Sequence, residues 1–263
     1  MNIGAQYIRD SECHLNKGLV MLEVFSRKFL LAQFCYYSNR LESLPDLRFG
    51  NHGGLKVVRE YNGRKVIHEY AICNKNTGLV EICELRKSIR AKIKELRRLG
   101  IDSGIKTGFR SQRVSPINGD LYKRLISESD TGYPNKTEYY HNGIHMRSRL
   151  EIMVAEELDR LGLQYKYEAQ IILNGEKYFP DFIVYLPELD ETILIECFGM
   201  LDDLKYAYNQ GNKLAAYMNS RFETGKSLVI IQGYSGYIPE PKEIRRLITD
   251  AVNNIASVKV EIR

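Results

Sequence analysis

The stretch "YFPDFIVYLPELDETILIECFG", residues 178–199, constrains the fold more than any other part of the chain. Two apolar runs, "KYFPDFIVYL" and "TILIECFG", flank the turn-forming "PELDE" and read as neighbouring strands buried on both faces. Each strand region carries one carboxylate, Asp181 in the first and Glu196 in the second. A buried carboxylate is costly unless it is paired, hydrogen-bonded or neutralised by a metal ion. Any fold this chain adopts must therefore supply partners for two acids in adjacent strands.

The flanking sequence supplies the remaining elements. "RSRLEIMVAEELDRLG" reads as a helix that stops at Gly162, and "QYKYEAQIIL" as a strand followed by the turn "NGE". Residues 203–220 read as a helix, "SLVIIQG" as a strand and "PKEIRRLITDAVNNI" as a closing helix. The order is α-β-β-β-α-β-α, which predicts a layered sheet domain of α/β or α+β type, with helices flanking a mixed sheet.

The first half of the chain differs in character. Residues 15–43 keep a 3.6-residue apolar period through Leu19, Leu22, Phe25, Phe29, Leu30 and Phe34, so a helix is expected. "GNHGG" and "YNGRK" mark turns between short strands over residues 46–73. A helix is expected over residues 80–99, with a stripe of Leu85, Ile89, Ile93, Leu96 and Leu99. Around that stripe stand Arg86, Lys87, Arg90, Lys92, Lys94, Arg97 and Arg98, with Glu95 as the acid among them. Residues 102–145 are rich in turn formers and read as a loop-rich connection with a short helical piece near Leu121–Ile126.

Charge divides along the same line. Residues 1–115 hold 21 Lys+Arg against 11 Asp+Glu, and residues 116–263 hold 17 against 22. This predicts a basic N-terminal region, 1–115, that grips a polyanion, and a second domain, 116–263, whose acids do other work. Arg86, Lys87, Arg90, Lys94, Arg97 and Arg98 are the expected phosphate contacts, joined by Arg147 and Arg149 before and at the start of the later helix. The five cysteines are dispersed and form no CxxC, so reduced thiols of a cytoplasmic protein are expected rather than a zinc site. No basic and apolar leader and no long apolar run is present, so neither secretion nor a membrane span is expected.

Glu151 is a third acid of interest. On a helix it shares a face with Val154, Ala155 and Leu158, so it is expected to point toward the sheet. A helix carboxylate and two strand carboxylates can converge, and like charges that close need a cation. Hard divalent cations take such oxygen ligands, and a bound Mg²⁺ can orient water against a phosphodiester. Glu168 in "YKYE" is a further acid more suited to a supporting role; His141 and His145 read as structural or exposed, and Cys197 as core.

Taken together, "RSRLE", "YKYE", "FPDF", "IECFGM" and a later Tyr-Lys-Tyr helix resemble a bacterial branch of the PD-(D/E)xK nuclease superfamily, over about residues 140–235. That resemblance implies a restriction-endonuclease-like core and a Mg²⁺- or Mn²⁺-dependent endonuclease acting on DNA. It assigns Glu151 to the helix acid, Asp181 to the PD aspartate and Glu196 to the acid of ExK, with these three as metal ligands. The chain departs from the pattern at Phe198, where lysine is usual. Lys213, which shares a helix face with Tyr206 and Tyr217, is the expected migrated catalytic lysine, with Lys205 second. Two other readings stand beside this one: a nuclease-fold protein that binds DNA without cutting it, and a nuclease directed at RNA. A homodimer is compatible with either.

Overall fold

The computed structural model describes residues 25–127, 139–199, 202–234 and 236–262. Leu19, Leu22 and part of the expected loop before residue 139 lie outside them. The chain is mixed α+β and divides into two compact units, residues 30–106 in one and residues 25–29 with 107–262 in the other. The division falls inside helix α1, Arg27–Ser43.

In the first unit, β1 (Leu47–His52), β2 (Leu55–Asn62) and β3 (Lys65–Ala71) form an antiparallel meander. Gly53, Gly54 and Gly63 make its turns at φ of 56°, 88° and 61°, a region open to residues without a Cβ. Helix α2, Thr77–Arg98, closes the unit against a small core of Leu47, Val58 and Cys83. Its buried stripe is Cys83, Arg86, Ile89, Ile93 and Leu96.

Arg86 therefore corrects the expectation of a phosphate contact. It is 5% exposed. Its guanidinium donates to Leu41 O at 3.1 Å and to Leu44 O and Asp46 Oδ1 at 2.8 and 2.7 Å. Those bonds tie the end of α1 and the start of β1 to α2, and burial holds the Arg86 pKa below its ordinary value. Arg90 also reaches Asp46, at 3.3 Å, and Arg97 lies over the Phe34 ring. Lys87, Lys94 and Arg98 are exposed and, among the described residues, make no ion pair.

The second unit starts earlier than residue 115. Strand β4, Thr107–Phe109, pairs with the last strand, and Arg113 bonds to Asp190 at 2.9 Å, which fixes the segment to this unit. Helix α3 (Gly119–Arg124) and the hairpin of β5 (Tyr139–His141) and β6 (Ile144–Met146) follow. Helix α4, Arg149–Leu161, is capped by Ser148 and ended by Gly162 at φ 68°.

Next come β7 (Gln164–Tyr167), the hairpin of β8 (Ile171–Leu173) and β9 (Glu176–Tyr178), β10 (Phe182–Leu186) and β11 (Glu191–Phe198). Helix α5 (Leu204–Asn219), β12 (Leu228–Gln232), α6 (Pro241–Lys259) and β13 (Val260–Ile262) complete the unit. The main sheet runs β12-β11-β10-β7, antiparallel except that β11 and β12 are parallel across α5. Each expected long strand is cut in two. "QYKYEAQIIL" breaks at Glu168, which adopts φ 44°, and "KYFPDFIVYL" breaks at Pro180-Asp181. A left-handed non-glycine residue costs roughly 1–2 kcal/mol, so the surrounding contacts hold it there.

Strand alternation sorts the core. Ile183, Leu194 and Leu228 face Tyr122 of α3 and Tyr217 of α5. Phe182 and its cross-strand partners Tyr167 and Ile195 face the opposite way, toward α4. Every residue of β11 is buried, including three polar ones, Glu191, Thr192 and Glu196. Among the described residues, no helix is long and apolar enough to cross a membrane.

Arg86→Ala should lower the stability of the protein by about 3 kcal/mol, since it leaves two carbonyls and a carboxylate short of a donor. Lys94→Ala should stay within about 0.5 kcal/mol. Urea titration distinguishes the two, and equal midpoints would refute the structural role of Arg86.

Candidate active site

The register of β10 and β11 pairs Phe182 with Ile195, and one further step sets Asp181 across from Glu196. Asp181 lies where β10 begins, and its Oδ2 accepts the Cys197 backbone N–H at 2.6 Å. Its other oxygen takes no hydrogen bond among the described residues. Glu196 is 1% exposed. Lys213 Nζ lies 2.7 Å from Glu196 Oε2, and the Tyr217 hydroxyl donates to Oε1 at 2.7 Å. Lys213 and Tyr217 stand one helical turn apart on α5, so one face delivers both. Lys213 Nζ also donates to Phe179 O at 2.8 Å, bridging the approach to Asp181 and the end of β11.

Phe198, where the resemblance leads one to expect lysine, is 2% exposed and packs edge-on against Tyr206. The ammonium group at Glu196 comes from α5. Lys205 is exposed in the first turn of that helix and bonds to Asp203 through its backbone.

The electrostatics follow from enclosure. Burial, then the neighbouring Glu196, pushes the Asp181 carboxyl well above the usual carboxylate range, and Lys213 offsets only part of this. Burial also raises Glu196, against the pull of Lys213 and Tyr217. For Lys213, burial alone would favour loss of the proton. Glu196, Asp181 and Glu168 outweigh it, and the ammonium is held above the ordinary lysine value. Lys213 is thus a cation at neutral pH, suited to stabilising negative charge rather than accepting a proton.

Glu151 does not share the pocket in the way its helical position suggested. Ser148 and Glu151 carry the capping-box pattern, with Ser148 Oγ accepting from Glu151 N at 3.2 Å and donating to Glu151 Oε1 at 2.9 Å, while the backbone N–H that Glu151 takes is that of Arg147. Glu151 Oε2 accepts from Arg147 N at 2.8 Å and from the Tyr167 hydroxyl at 2.6 Å. Tyr167 lies on the sheet face opposite Glu196, by its pairing with Phe182. The Glu151 charge still raises the Asp181 and Glu196 pKa values, but its oxygens serve the helix start. Among the described residues, no three of His, Cys, Asp and Glu stand close enough together to hold a metal ion.

Glu168 is closer to Asp181 than the sequence indicated. Its backbone N–H bonds to Asp181 O at 3.0 Å, and its carboxylate pairs with Arg147 Nε at 2.5 Å. Burial raises its pKa, and Arg147 and Lys213 draw it back. The signal for Glu168 was positional, an acid just past a strand that borders Asp181. Arg147 is thereby held at the acid cluster, while Arg149 is exposed at the first position of α4. His141 pairs with Asp159 at 2.8 Å, and Cys197 is buried.

Two carboxylates still suit a hard cation that keeps waters and gains further ligands from a phosphate. The under-bonded oxygen of Asp181 and the upward shift of both acids fit such a group. The chain matches no protein-family model, curated protein or solved structure.

A sign follows for stability. The folded protein holds protons on Asp181 and Glu196 that the unfolded chain releases near pH 4, so their burial destabilises the fold as pH rises above that range. Asp181→Asn keeps an acceptor for Cys197 N–H and removes one of these charges. The wild-type-minus-variant difference in unfolding free energy should fall with pH, by at most about 1.4 kcal/mol per pH unit. Denaturant titrations of metal-free protein between pH 4.5 and 8 measure it, and a difference that rises or stays flat would contradict the assignment.

Proposed function

We propose that the protein is a divalent-cation-dependent nuclease that hydrolyses phosphodiester bonds in DNA. The observation that carries this reading is Lys213 Nζ at 2.7 Å from Glu196 Oε2, beside Asp181. An aspartate, a glutamate and a lysine at the mouth of a mixed sheet supply the residue types that a PD-(D/E)xK site uses. The α-β-β-β-α-β order of α4, β7, β10, β11, α5 and β12 agrees with a restriction-endonuclease-like core.

Asp181 and Glu196 would hold Mg²⁺ or Mn²⁺. Such an ion, when bound, neutralises phosphate charge and lowers the pKa of a coordinated water. The chain's own groups do the rest. Tyr217 and Lys213 fix the Glu196 carboxylate from two sides. Lys213, as a permanent cation, stabilises the charge that develops on the phosphate in the transition state. Arg147 stands at the same cluster and can take a phosphate oxygen in exchange for Glu168. Glu151 acts here as a helix cap and a source of negative potential. The non-cleaving alternative rests on Phe198, and a lysine supplied from α5 weakens it.

Incubated with Mg²⁺ or Mn²⁺, the wild type should cut at least one of supercoiled, linear, branched and single-stranded DNA. Asp181→Asn should abolish cutting while retaining its circular dichroism spectrum, and Lys213→Met should reduce the rate by roughly 10²-fold or more. Full activity in both variants would remove the assignment.

The first unit holds 15 Lys+Arg against 8 Asp+Glu over residues 30–106, and it supplies the electrostatic grip in this reading. Among the described residues, Lys87, Lys94 and Arg98 of α2 make no ion pair. Changing all three to alanine should reduce the slope of log affinity against log salt by about 2–3 for duplex DNA, as counterion release at about 0.9 per contact requires. An unchanged slope would place the DNA elsewhere.

A further inference from the structure

Two pairs of stacked rings face solvent in the second unit, and neither belongs to the acid cluster. Tyr140 and His145 are cross-strand partners on β5 and β6, with centroids 4.5 Å apart and planes 10° from parallel. Tyr140 is 64% exposed, so its outer ring face is open. Tyr234 and Tyr237 stack at 4.9 Å and 23° just beyond β12, and Tyr234 is 56% exposed.

Hydrogen bonds fasten both pairs in place. The β5–β6 turn is pinned to α4 by Asp159, which bonds His141 Nε2 at 2.8 Å and Asn142 Nδ2 at 2.7 Å. The Tyr234–Tyr237 turn is closed by reciprocal backbone bonds of 3.1 and 2.9 Å, and the Tyr237 hydroxyl donates to Glu243 at 2.5 Å.

Both lie at the acid-bearing end of the sheet. His145 is two residues from Arg147, within about 7 Å along the chain, and Arg147 pairs with Glu168 beside Asp181. Gly233, next to Tyr234, donates to Phe198 O at 2.6 Å, two residues past Glu196. A Cβ at Gly233 would come within 3.2 Å of Tyr237 O, so glycine lets this turn close tightly on itself. In the sheet order, β12 is at one edge and β7, beside α4, at the other. The acid-bearing strands β10 and β11 lie between those edges, with Tyr234 just past β12 and the β5–β6 hairpin packed on α4.

We infer that the substrate strand is unpaired where it crosses this site, with one nucleobase stacked on Tyr140 and another on Tyr234. This rests on the nuclease reading of the same acids. Ring faces are offered edge-free to solvent, which suits the face of a base. In a duplex those faces are already stacked, so the platforms select single-stranded, frayed or flapped DNA. Exposed Arg149 and nearby Arg147 supply positive charge for the backbone on the Tyr140 side.

The test is fluorescence anisotropy with a labelled oligothymidylate of about 20 nucleotides and a duplex of equal length, in EDTA so that cleavage does not enter. Tyr140→Ala and Tyr234→Ala should each weaken single-strand binding by roughly 10-fold, as loss of one base stack predicts. Tyr140→Phe and Tyr234→Phe should stay within about 2-fold of wild type, and duplex affinity should be unchanged in all four. An alanine variant that keeps its single-strand affinity, or loses duplex affinity equally, overturns the inference. Wild-type cleavage with Mn²⁺ separates the two levels. Cleavage with unaffected alanine variants removes the platforms and leaves the nuclease reading, whereas the stacking pattern without any cleavage removes the nuclease reading.

Discussion

The ion pair of Lys213 and Glu196 is the contact on which the candidate site depends. It lets β11 carry a carboxylate at 1% exposure in a strand with no exposed residue. Desolvating each ion costs several kcal/mol, so the pair contributes little net stability compared with an apolar replacement. What it does contribute is position. Tyr217 is the only residue of α5 that is buried among those described, and both Tyr217 and Lys213 bond to Glu196. Tyr217 and Leu214 seat the helix in the core, and the polar contacts to Glu196 fix where the lysine and the acid meet.

The buried acids of the second unit show what separates structural burial from a site. Glu191, at 0% exposure, accepts from Val114 N and Ser115 N and pairs with Lys259 at 3.0 Å. Glu157 is held by Arg245 at 2.7 Å and Arg160 at 3.3 Å. Glu151 takes three donors. Each of these is saturated and fastens one element to another. Asp181 has a single backbone donor, a second carboxylate opposite and a pKa driven well upward. Under the proposed function, that remaining acceptor oxygen of Asp181 is the one that would take a cation.

Much of this was legible in the sequence where the signal was local. The apolar runs of β10 and β11, the glycine stop of α4, and the Asn-Gly turns all gave elements close to those observed. Tyr206, Lys213 and Tyr217 on one helical face pointed to the lysine supplied from α5. What escaped depended on tertiary context. Arg86 stands among the buried positions of α2, but its charge class assigned it to the surface, because its acceptors lie some forty residues earlier in the chain. Glu168 breaks a strand without glycine, which periodicity cannot signal. Glu191 and Glu157 were passed over because their cations, Lys259 and Arg245, arrive from the last helix. The capping-box pattern of Ser148 and Glu151 was written in the sequence, yet a core-facing acid and a capping acid occupy the same helical position.

The division of charge now has a physical reading under the proposed function. A cluster of Asp181, Glu196 and Glu168 repels a phosphodiester, and Lys213 and Arg147 are already committed to two of those acids. The second unit, its acids outnumbering exposed Arg149 near them, cannot by itself draw in a polyanion over distance. The first unit can, because Lys87, Lys94 and Arg98 carry no acidic partner among the described residues, while its cations nearest the core, Arg86 and Arg90, are spent on Asp46. Attraction over distance and chemistry at contact make opposite demands on surface charge. Placing them in separate units of one chain satisfies both, and leaves the acid cluster to be neutralised only when cation and phosphate arrive together.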